Sequence, residues 1–268
     1  MPHRGADAAL FVKSFGMSDI RLRGEPILRW PAGRSRILFQ YLMIHINQRV
    51  TSDRLYEALW PDTVRSSGTS SLKVACHGLR RTLGAARDGS ADIRLLYRDF
   101  GYMLEADDVW FDVTEFERLV DSGLRAKKTG HARIARADLE AAMRLYDGDF
   151  LEGDMTDWVI AHREYLKSLA LCALQELRDI AERDADIAEV ISLCVRTIDL
   201  DRFHEASYRK LVALHGQRGE LERAHSWFRL CVVRLREHLG VAPAPETLAV
   251  FRRTLAPCAD AQPVRRTG

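Results

Sequence analysis

The sequence lacks the features that mark membrane and secreted proteins. Its 268 residues contain no run of eighteen or more apolar residues, which is about the length that a helix needs to cross a bilayer. The first fifteen residues, MPHRGADAALFVKSF, have neither the apolar core nor the cleavage site of a signal peptide. We therefore expect a cytoplasmic protein that makes no membrane contact.

Cysteine is sparse and irregularly placed. The five cysteines are an odd number, no two of them form a CxxC pair, and the nine histidines never fall at the spacing of a zinc site. They are Cys76, Cys172, Cys194, Cys231 and Cys258. We expect reduced thiols and neither a bound metal nor any other cofactor.

Catalytic signatures are also missing. The sequence has no Gly-rich phosphate loop, no GxSxG motif and no lysine or histidine set beside an activated nucleophile. One carboxylate cluster, Asp147, Asp149, Glu152 and Asp154, does not have the spacing of a calcium loop, and a polar connection between helices explains it. The sequence therefore predicts that the protein is not an enzyme.

Charge is unevenly distributed. The net charge of +2 divides into +7 for residues 1–104 and −5 for the remainder. This asymmetry favours a nucleic-acid contact in the first part and a protein partner for the rest, although so modest an excess is also compatible with solvation alone.

Acidic residues are absent from Ser66–Leu83, SSGTSSLKVACHGLRRTL. Leu72, Cys76, Leu79 and Leu83 fall on one face at helical spacing, so the segment is predicted to be an amphipathic helix. Hydroxyls, cations and one valine on the opposite face would suit a DNA major groove. A solvated helix face is the alternative, because exposed basic faces are common.

The segments around this helix predict a winged helix-turn-helix. Loosely alternating strands are expected at Leu10–Gly16, Ile20–Gly24 and Ile27–Trp30, followed by helices at Arg34–Asn47 and from the Val50–Asp53 cap to Trp60, and by a hairpin of Ile93–Arg98 with Tyr102–Glu105. In that fold the third helix enters the major groove, and the hairpin, or wing, reaches the backbone or minor groove.

The remainder is predicted to be helical throughout. The expected helices are Val113–Lys128, Ala132–Tyr146, Asp157–Arg183, Ile187–Ile198, Glu205–Gln217, Leu221–Leu239 and Glu246–Leu255. An offset of 34 residues aligns Ile187 with Leu221 and Val190 with Ala224, which suggests tetratricopeptide-like hairpins, although ordinary helix packing could also produce it. The predicted fold class is mainly α: a winged helix-turn-helix of mixed α and β structure, then an all-α tetratricopeptide-like domain.

The composition shift at Glu105–Asp108 sets the predicted domain boundary. We expect a disordered tail at 1–9, the winged helix at 10–108, the helical domain at 109–256 and a second tail at 257–268. Several aromatic residues could anchor a partner or simply pack between helices or domains, and packing is the favoured interpretation. They are Trp110, Phe111, Trp158, Trp227 and Phe228.

Several motifs in this order resemble the Streptomyces antibiotic regulatory protein family. They are PAGRSR at Pro31–Arg36, VTSDRLYEALW at Val50–Trp60, LRRTLG at Leu79–Gly84, Gly101-Tyr102, HLGVAP at His238–Pro243 and Pro245-Glu246-Thr247. The resemblance covers roughly residues 10–256. It implies an OmpR-type winged helix joined to a bacterial transcriptional activation domain. The implied protein is an activator that binds direct repeats of double-stranded DNA upstream of a promoter, often as a side-by-side homodimer, and contacts RNA polymerase including its sigma subunit.

The candidate DNA contacts combine both lines of reasoning. The resemblance places contacts on Ser70, Lys73, Val74, His77 and Arg81, with a wing contact on Arg98. The residue pattern adds Ser67 and Arg80 on the helix, and Arg34 and Arg36 at the start of the first helix, where phosphate contact and plain solvation both remain open. His77 could likewise meet DNA or solvent. We assign phosphates to Lys73, Arg80, Arg81 and Arg98, and base edges to Ser70, Val74 and His77.

Gly78 departs from the family pattern, which has a polar or basic residue at this position. The sequence places Gly78 at the centre of the exposed face, where its backbone would approach DNA closely or base reading would be weakened. This glycine supports an alternative function, a protein-binding adaptor or anti-regulator with a degenerate DNA-binding domain. The acid-free face opposes it. The expected protein remains a standalone transcription regulator.

Overall fold

The computed structural model describes residues 8–31, 33–61, 68–84 and 93–256, and for residues 68–70 it describes the backbone alone. The chain forms two compact units, residues 1–170 and residues 171–268, and the division falls within one long helix. Each unit is described separately below.

Seven strands and ten helices make up the described residues. The strands are β1 Leu10–Lys13, β2 Asp19–Leu22, β3 Glu25–Pro26, β4 Val50–Thr51, β5 Ile93–Arg98, β6 Gly101–Ala106 and β7 Val109–Phe111. The helices are α1 Ser35–Met43, α2 Ser52–Leu59, α3 Gly68–Gly84, α4 Asp112–Lys128, α5 Ala132–Leu145, α6 Asp157–Arg183, α7 Ile187–Leu200, α8 Glu205–Gln217, α9 Leu221–Leu239 and α10 Pro245–Leu255.

The first sheet has the strand order β3-β2-β1-β7. β1 runs antiparallel to β2 and parallel to β7, with Phe11 opposite both Arg21 and Trp110. Leu10 and Val12 point into the core while Phe11 points outward, as the alternation of a half-buried strand requires. The predicted strand at Ile27–Trp30 is wrong, because the third strand consists of Glu25–Pro26 alone.

Proline explains why the chain leaves this sheet after β3. Pro26 and Pro31 lack the N–H group that a strand donates to its neighbour. Between them the Ile27 N–H still reaches the Ile20 carbonyl at 2.9 Å, but Leu28 is 84% exposed and does not pack on the core. The short apolar run ILRW, Ile27–Trp30, is therefore an irregular surface segment instead of a strand.

The helix-turn-helix and its wing follow the predicted order. The Thr51 side chain accepts the Arg54 N–H at 3.4 Å and caps α2, as the hydroxyl-rich sequence before that helix indicated. The second sheet has the order β4-β6-β5, and Val50 pairs with Tyr102 in it. β5 and β6 form the predicted hairpin, so the described N-terminal elements are those of a winged helix-turn-helix.

An aromatic core joins the winged helix to the first helices that follow it, all within the first unit. Phe15, just after β1, contacts Phe116 of α4 and Tyr146 at centroid distances of 5.4 and 4.9 Å. In a second aromatic contact, Tyr41 of α1 packs edge to face against Trp158 of α6, with 5.1 Å between the ring centroids. The winged helix therefore buries part of its apolar surface against α4 to α6.

Asp112, the first residue of α4, stabilises the contact between α4 and the end of β1. Its buried carboxylate accepts the Ser14, Phe15 and Val113 N–H groups at 2.7, 2.9 and 2.9 Å. Burial raises its pKa to about 6, although the three N–H donors act in the opposite direction. The predicted domain boundary at residue 108 lies just before β7. Because β7 pairs with β1 of the winged helix, the elements on the two sides of this position share one sheet. A domain boundary at residue 108 stays a prediction. The predicted tails contain residues 1–7 and 257–268, which lie outside the described residues.

The second unit consists of helical hairpins. α7 and α9 begin 34 residues apart, at Ile187 and Leu221, as the sequence offset indicated. α10 folds back on the preceding pair, where Phe251 stacks on Phe228 at 3.6 Å. The described C-terminal region is all-helical, as predicted.

Candidate nucleic-acid interface

The described part of α3 has one buried and one exposed face. Leu72, Ala75, Cys76 and Leu79 are 0–3% exposed and form the buried face, while Leu83 is half-buried. The exposed side chains opposite them are Lys73, Val74, His77, Arg80 and Arg81. Val74 is 58% exposed, so its methyl groups are accessible to a ligand.

Gly78 does not lie on this exposed face, so the expectation drawn from its position is wrong. It is buried where α3 meets the start of α1. A Cβ at this position would overlap the Ser35 Oγ and would lie 3.3 Å from the Ser35 Cβ and 3.4 Å from the Pro31 Cβ. The close approach of α1 to α3 therefore accounts for a glycine at this position.

This placement brings Arg34 and Arg36 to the same region. They flank the fully buried Ser35, whose side chain faces the middle of α3. Arg36 is exposed and Arg34 is half-buried. The structure thus places the start of α1 next to the recognition helix, which the sequence pattern could not indicate.

Arg80 has a partner within the fold. Its Nε and Nη2 atoms donate to the Leu95 carbonyl of β5 at 3.2 and 3.1 Å. The bidentate contact connects α3 to the wing and uses part of the guanidinium that the sequence assigned to phosphate. Arg80 therefore contributes to the position of the wing.

A second contact between α3 and the wing involves Cys76 and Tyr102. The two side chains are close enough to influence each other's ionisation, and burial raises the pKa of Tyr102 to about 12. Burial likewise raises the pKa of the Cys76 thiol. Both groups are therefore neutral near pH 7, and both are buried where α3 packs against the wing.

The wing tip consists of Arg98, Asp99, Phe100 and Gly101. Arg98 is exposed, as expected of a wing contact, while Asp99 places an opposing charge in the same turn. Asp99 and Phe100 both have left-handed backbone, with φ of 46° and 60°, as a two-residue hairpin turn of this type requires. Phe100 is 84% exposed, which makes it a further candidate for contact that the sequence pattern did not indicate.

The strained turn is held by Arg49, just before β4, and by Ser52, at the start of α2, and the sequence pattern singled out neither residue as part of the site. The Arg49 guanidinium donates to the Asp99 carbonyl at 2.7 Å, and both the N–H and the hydroxyl of Ser52 donate to the Phe100 carbonyl at 3.1 Å. A Cβ at Gly101 would lie 2.5 Å from the Val50 carbonyl oxygen, so β4 and the wing pack closely. The hydroxyl-rich cap segment Val50–Asp53 was the feature of the sequence that could have pointed to this contact with the wing.

Two candidates cannot be located. Ser67 lies outside the described residues, and at Ser70 the backbone is described without the side chain. The remaining candidates on α3, α1 and the wing belong to the winged helix within the first unit. The structure brings Lys73, Val74, His77 and Arg81 onto one exposed surface of α3, which we call the recognition face.

The carboxylate cluster after α5 has structural partners. Asp147 pairs with Lys13 at 2.9 Å, and Asp154 accepts the N–H and hydroxyl of Thr156 at 2.9 and 2.8 Å before α6 begins. Arg163 donates to the carbonyls of Phe150, Leu151 and Asp154 and so fixes the connection. Among the described residues no group of three potential metal ligands converges.

The aromatic residues singled out in the sequence pack within the protein. Phe111 is buried, Trp110 stacks on Phe11 at 4.6 Å, and Trp227 lies 6.3 Å from Tyr208. Of the cysteines, Cys76, Cys194 and Cys231 are buried thiols and Cys172 is an exposed one, while Cys258 lies outside the described residues. No helix in the described ranges is both long enough and apolar enough to span a membrane.

Two family descriptions match the chain. "Bacterial transcriptional activator domain" matches residues 111–255, more than half of the chain, and "Transcriptional regulatory protein, C terminal" matches residues 32–104. The second range contains α1 to α3 and the wing, and the first contains α4 to α10. The two matches therefore separate the recognition face from the helical region.

The chain is also similar to individual regulatory proteins. The chain is 27% identical over 248 residues to transcriptional regulatory protein MoaR1 of Mycobacterium tuberculosis, covering 90% of this chain and 77% of MoaR1. It is 32% identical over 130 residues to regulatory protein DnrI of Streptomyces peucetius, covering 47% of this chain and 46% of DnrI.

A solved structure shares the fold. Mycobacterium tuberculosis EmbR, solved in complex with a low affinity phosphopeptide, matches 92% of this chain with a TM-score of 0.71 and 22% identity, and the chain covers 65% of the EmbR chain. The chain belongs to the family of transcription regulators that join an OmpR-type winged helix to a bacterial transcriptional activator domain, as the Streptomyces antibiotic regulatory proteins do.

Proposed function

We propose that this regulator is an activator that binds direct repeats in promoter DNA as a side-by-side homodimer and recruits RNA polymerase through contacts that include the sigma subunit. The observation that carries the DNA-binding part is the recognition face. Lys73, Val74, His77 and Arg81 are all exposed there, in a helix whose sequence contains no carboxylate.

The side chains of the recognition face suit both the phosphates and the base edges of the duplex. Lys73 and Arg81 are placed to neutralise phosphates, and Arg98 would do the same from the wing. Val74 offers methyl groups to thymine, and His77 offers ring nitrogens to base edges. Ser70 remains in the base-reading set, with Ser67, Arg34 and Arg36 as further candidates. Phe100 adds an apolar group at the wing tip.

The adaptor alternative is not proposed. Its sequence support was a glycine thought to interrupt the DNA-reading surface, and Gly78 instead packs against Ser35. The polymerase contact is assigned to the helical region because the family description of residues 111–255 names an activator domain.

Binding-site selection on random duplex DNA tests the proposal. The purified protein should enrich a direct repeat whose half-sites lie about one helical turn apart, and its affinity should fall steeply with salt concentration. A K73A/R81A variant should lose enrichment, whereas K128A, a change at the end of α4, should keep it. Absence of enrichment with the wild-type protein, together with no duplex binding at low salt, would refute the DNA-binding part.

The polymerase contact is tested separately on the enriched site. Transcription in vitro from a promoter that carries the repeat should rise when the regulator is added to polymerase with its sigma subunit. A variant that ends at residue 170 should bind the repeat and leave transcription unchanged. Activation by that shortened protein would remove the second unit from the polymerase contact.

A further inference from the structure

A pocket of about 330 Å³ opens beside the first sheet, on the side of the first unit that carries Phe11 rather than Leu10 and Val12. Its walls come from two regions of the first unit. Phe11, Arg21 and Trp110 belong to β1, β2 and β7, while Arg144 lies at the end of α5 and Asp147 just beyond it. A volume near 300 Å³ suits a small organic molecule.

The sheet side of the pocket is an aromatic wall. Phe11 stands opposite both Arg21 and Trp110 in the strand register, so the three side chains form one row. The Phe11 and Trp110 rings stack at 4.6 Å with an angle of 7° between their planes, and the Arg21 guanidinium lies 5.8 Å from the Phe11 centroid. Because Trp110 and Arg21 cover the two faces of Phe11, the row presents ring edges to the pocket, and a flat ring packs across them in the edge-to-face arrangement that aromatic rings favour.

The charged groups of the lining are mainly cationic. Lys13, Arg21 and Arg144 line the pocket, against Asp147 and Asp112. Asp112 is 1% exposed, and its oxygens already accept three backbone N–H groups, so it presents little charge to the cavity. Asp147 is neutralised by Lys13 at 2.9 Å. Two guanidiniums therefore remain to set the preference for a ligand.

Carboxylates outside the lining compete for these guanidiniums, but weakly. Asp19 lies 2.7 Å from Arg21, and Glu140 lies 4.0 Å from Arg144. The Arg21 and Arg144 side chains are 51% and 69% exposed, and ion pairs this exposed contribute little because water screens them. An acid held on the aromatic wall, partly shielded from water, would pair with the same arginines more strongly.

We propose that this pocket binds a small planar aromatic acid, with one or two fused rings against the Phe11–Trp110 wall and its acidic group paired with Arg21 and Arg144. The site is separate from the recognition face, and its occupation does not require DNA. Because β1, β2 and β7 supply one part of the site and the end of α5 another, the bound acid stabilises their association within the first unit.

The test uses three probes of the same ring size with the full-length protein. They are 2-naphthoate, the neutral 2-naphthol and the cationic 2-naphthylmethylamine, titrated by calorimetry at constant ionic strength. We expect saturable binding of 2-naphthoate, at least tenfold weaker binding of 2-naphthol and no binding of the amine. The unfolding temperature should rise with 2-naphthoate alone.

Variants locate the site. R21Q/R144Q and W110L should each weaken 2-naphthoate binding at least tenfold. L28A should leave it unchanged, because Leu28 lines a different pocket that also contains a tryptophan, Trp30, and two arginines, Arg29 and Arg81. If W110L fails to fold, R21Q/R144Q decides, since both arginines are exposed. Equal binding of the amine, loss of binding in L28A, or no saturable binding of 2-naphthoate by the wild-type protein would each overturn the proposal.

Discussion

Gly78 of α3 and Ser35 of α1 are both buried and contact each other where the two helices meet. Within the described residues the buried Ser35 Oγ has no hydrogen-bond partner, and it occupies the space that a side chain at Gly78 would need. Alanine normally stabilises a helix interior by about 1 kcal/mol relative to glycine. Here overpacking, which typically costs about 1–3 kcal/mol, opposes that gain.

A double-mutant cycle measures this contact. We expect G78A to lower the free energy of unfolding by about 1 kcal/mol, because overpacking exceeds the helix-propensity gain. S35A alone should be neutral or slightly stabilising, since it removes an unpaired buried hydroxyl. G78A/S35A should recover the loss, which urea denaturation would detect. Additive effects would show that Gly78 is needed for another reason.

Arg80 and Arg81 are neighbours with different expected roles, which makes them a matched pair. Arg80 donates to the Leu95 carbonyl, and Arg81 is an exposed residue of the recognition face. R81A should weaken binding to all sequences and reduce the slope of log affinity against log salt by about 1. R80A should weaken binding through a displaced wing and change that slope less. Equal reductions in slope would return Arg80 to the phosphate contacts.

At the scale of elements, the packing of α6 on α1 predicts a dependence of stability on pH. Burial, and to a smaller extent the nearby His45, lowers the pKa of His162 on α6 to about 4. The unfolded chain takes up this proton near the ordinary histidine pKa of about 6.5, whereas the folded chain resists it. The contribution of neutral His162 to the free energy of unfolding is therefore complete above a pH of about 6.5 and is lost as the pH falls towards 4.

The matched variants are H162Q and H131Q, the second at an exposed histidine before α5. Urea denaturation at pH 7.5 and pH 5 should show a smaller loss of stability on acidification for H162Q than for the wild type, and an unchanged loss for H131Q. Asp112 has the opposite effect on stability. Because its pKa in the folded chain is raised to about 6, the folded chain binds this proton at a higher pH than the unfolded chain does, so acidification adds to stability at this residue. The variant-minus-wild-type difference isolates His162. An identical pH response in H162Q and the wild type would contradict the prediction.

At the scale of the whole molecule, the winged helix and the helices after it share a core. β7 extends the first sheet, and Phe15 packs against α4 and the end of α5. A fragment of residues 1–108 would lose the parallel partner of β1 and would expose Phe15, which is fully buried in the intact chain. The first compact unit instead extends to residue 170.

We therefore expect the 1–108 fragment to unfold at a lower urea concentration than a 1–170 fragment. Circular dichroism during urea titration of both fragments would measure the two midpoints. Burial of the aromatic rings of Phe15 and its neighbours is the physical reason, since each buried large apolar side chain contributes about 1.5–3 kcal/mol. Equal midpoints would establish the winged helix as an independent folding unit that ends at the predicted boundary.

The local pattern of the sequence determined the helices, the cap of α2, the hairpin wing and the buried stripe of α3, because helical periodicity and capping depend on residues a few positions apart. The order of these elements, with an acid-free third helix, was enough to predict the winged helix-turn-helix, and the class of regulator followed from the resemblance of several motifs to a known family.

Tertiary structure decided the features whose partners are distant in the chain. Gly78 lies at the surface of an isolated helix, but α1 covers it, and the exposed Arg80 is engaged by a carbonyl fifteen residues away. β7 is three residues long and pairs with a strand about a hundred residues earlier, so no periodicity marks it. Helical spacing fixes which residues share a face, but which faces are covered depends on long-range packing.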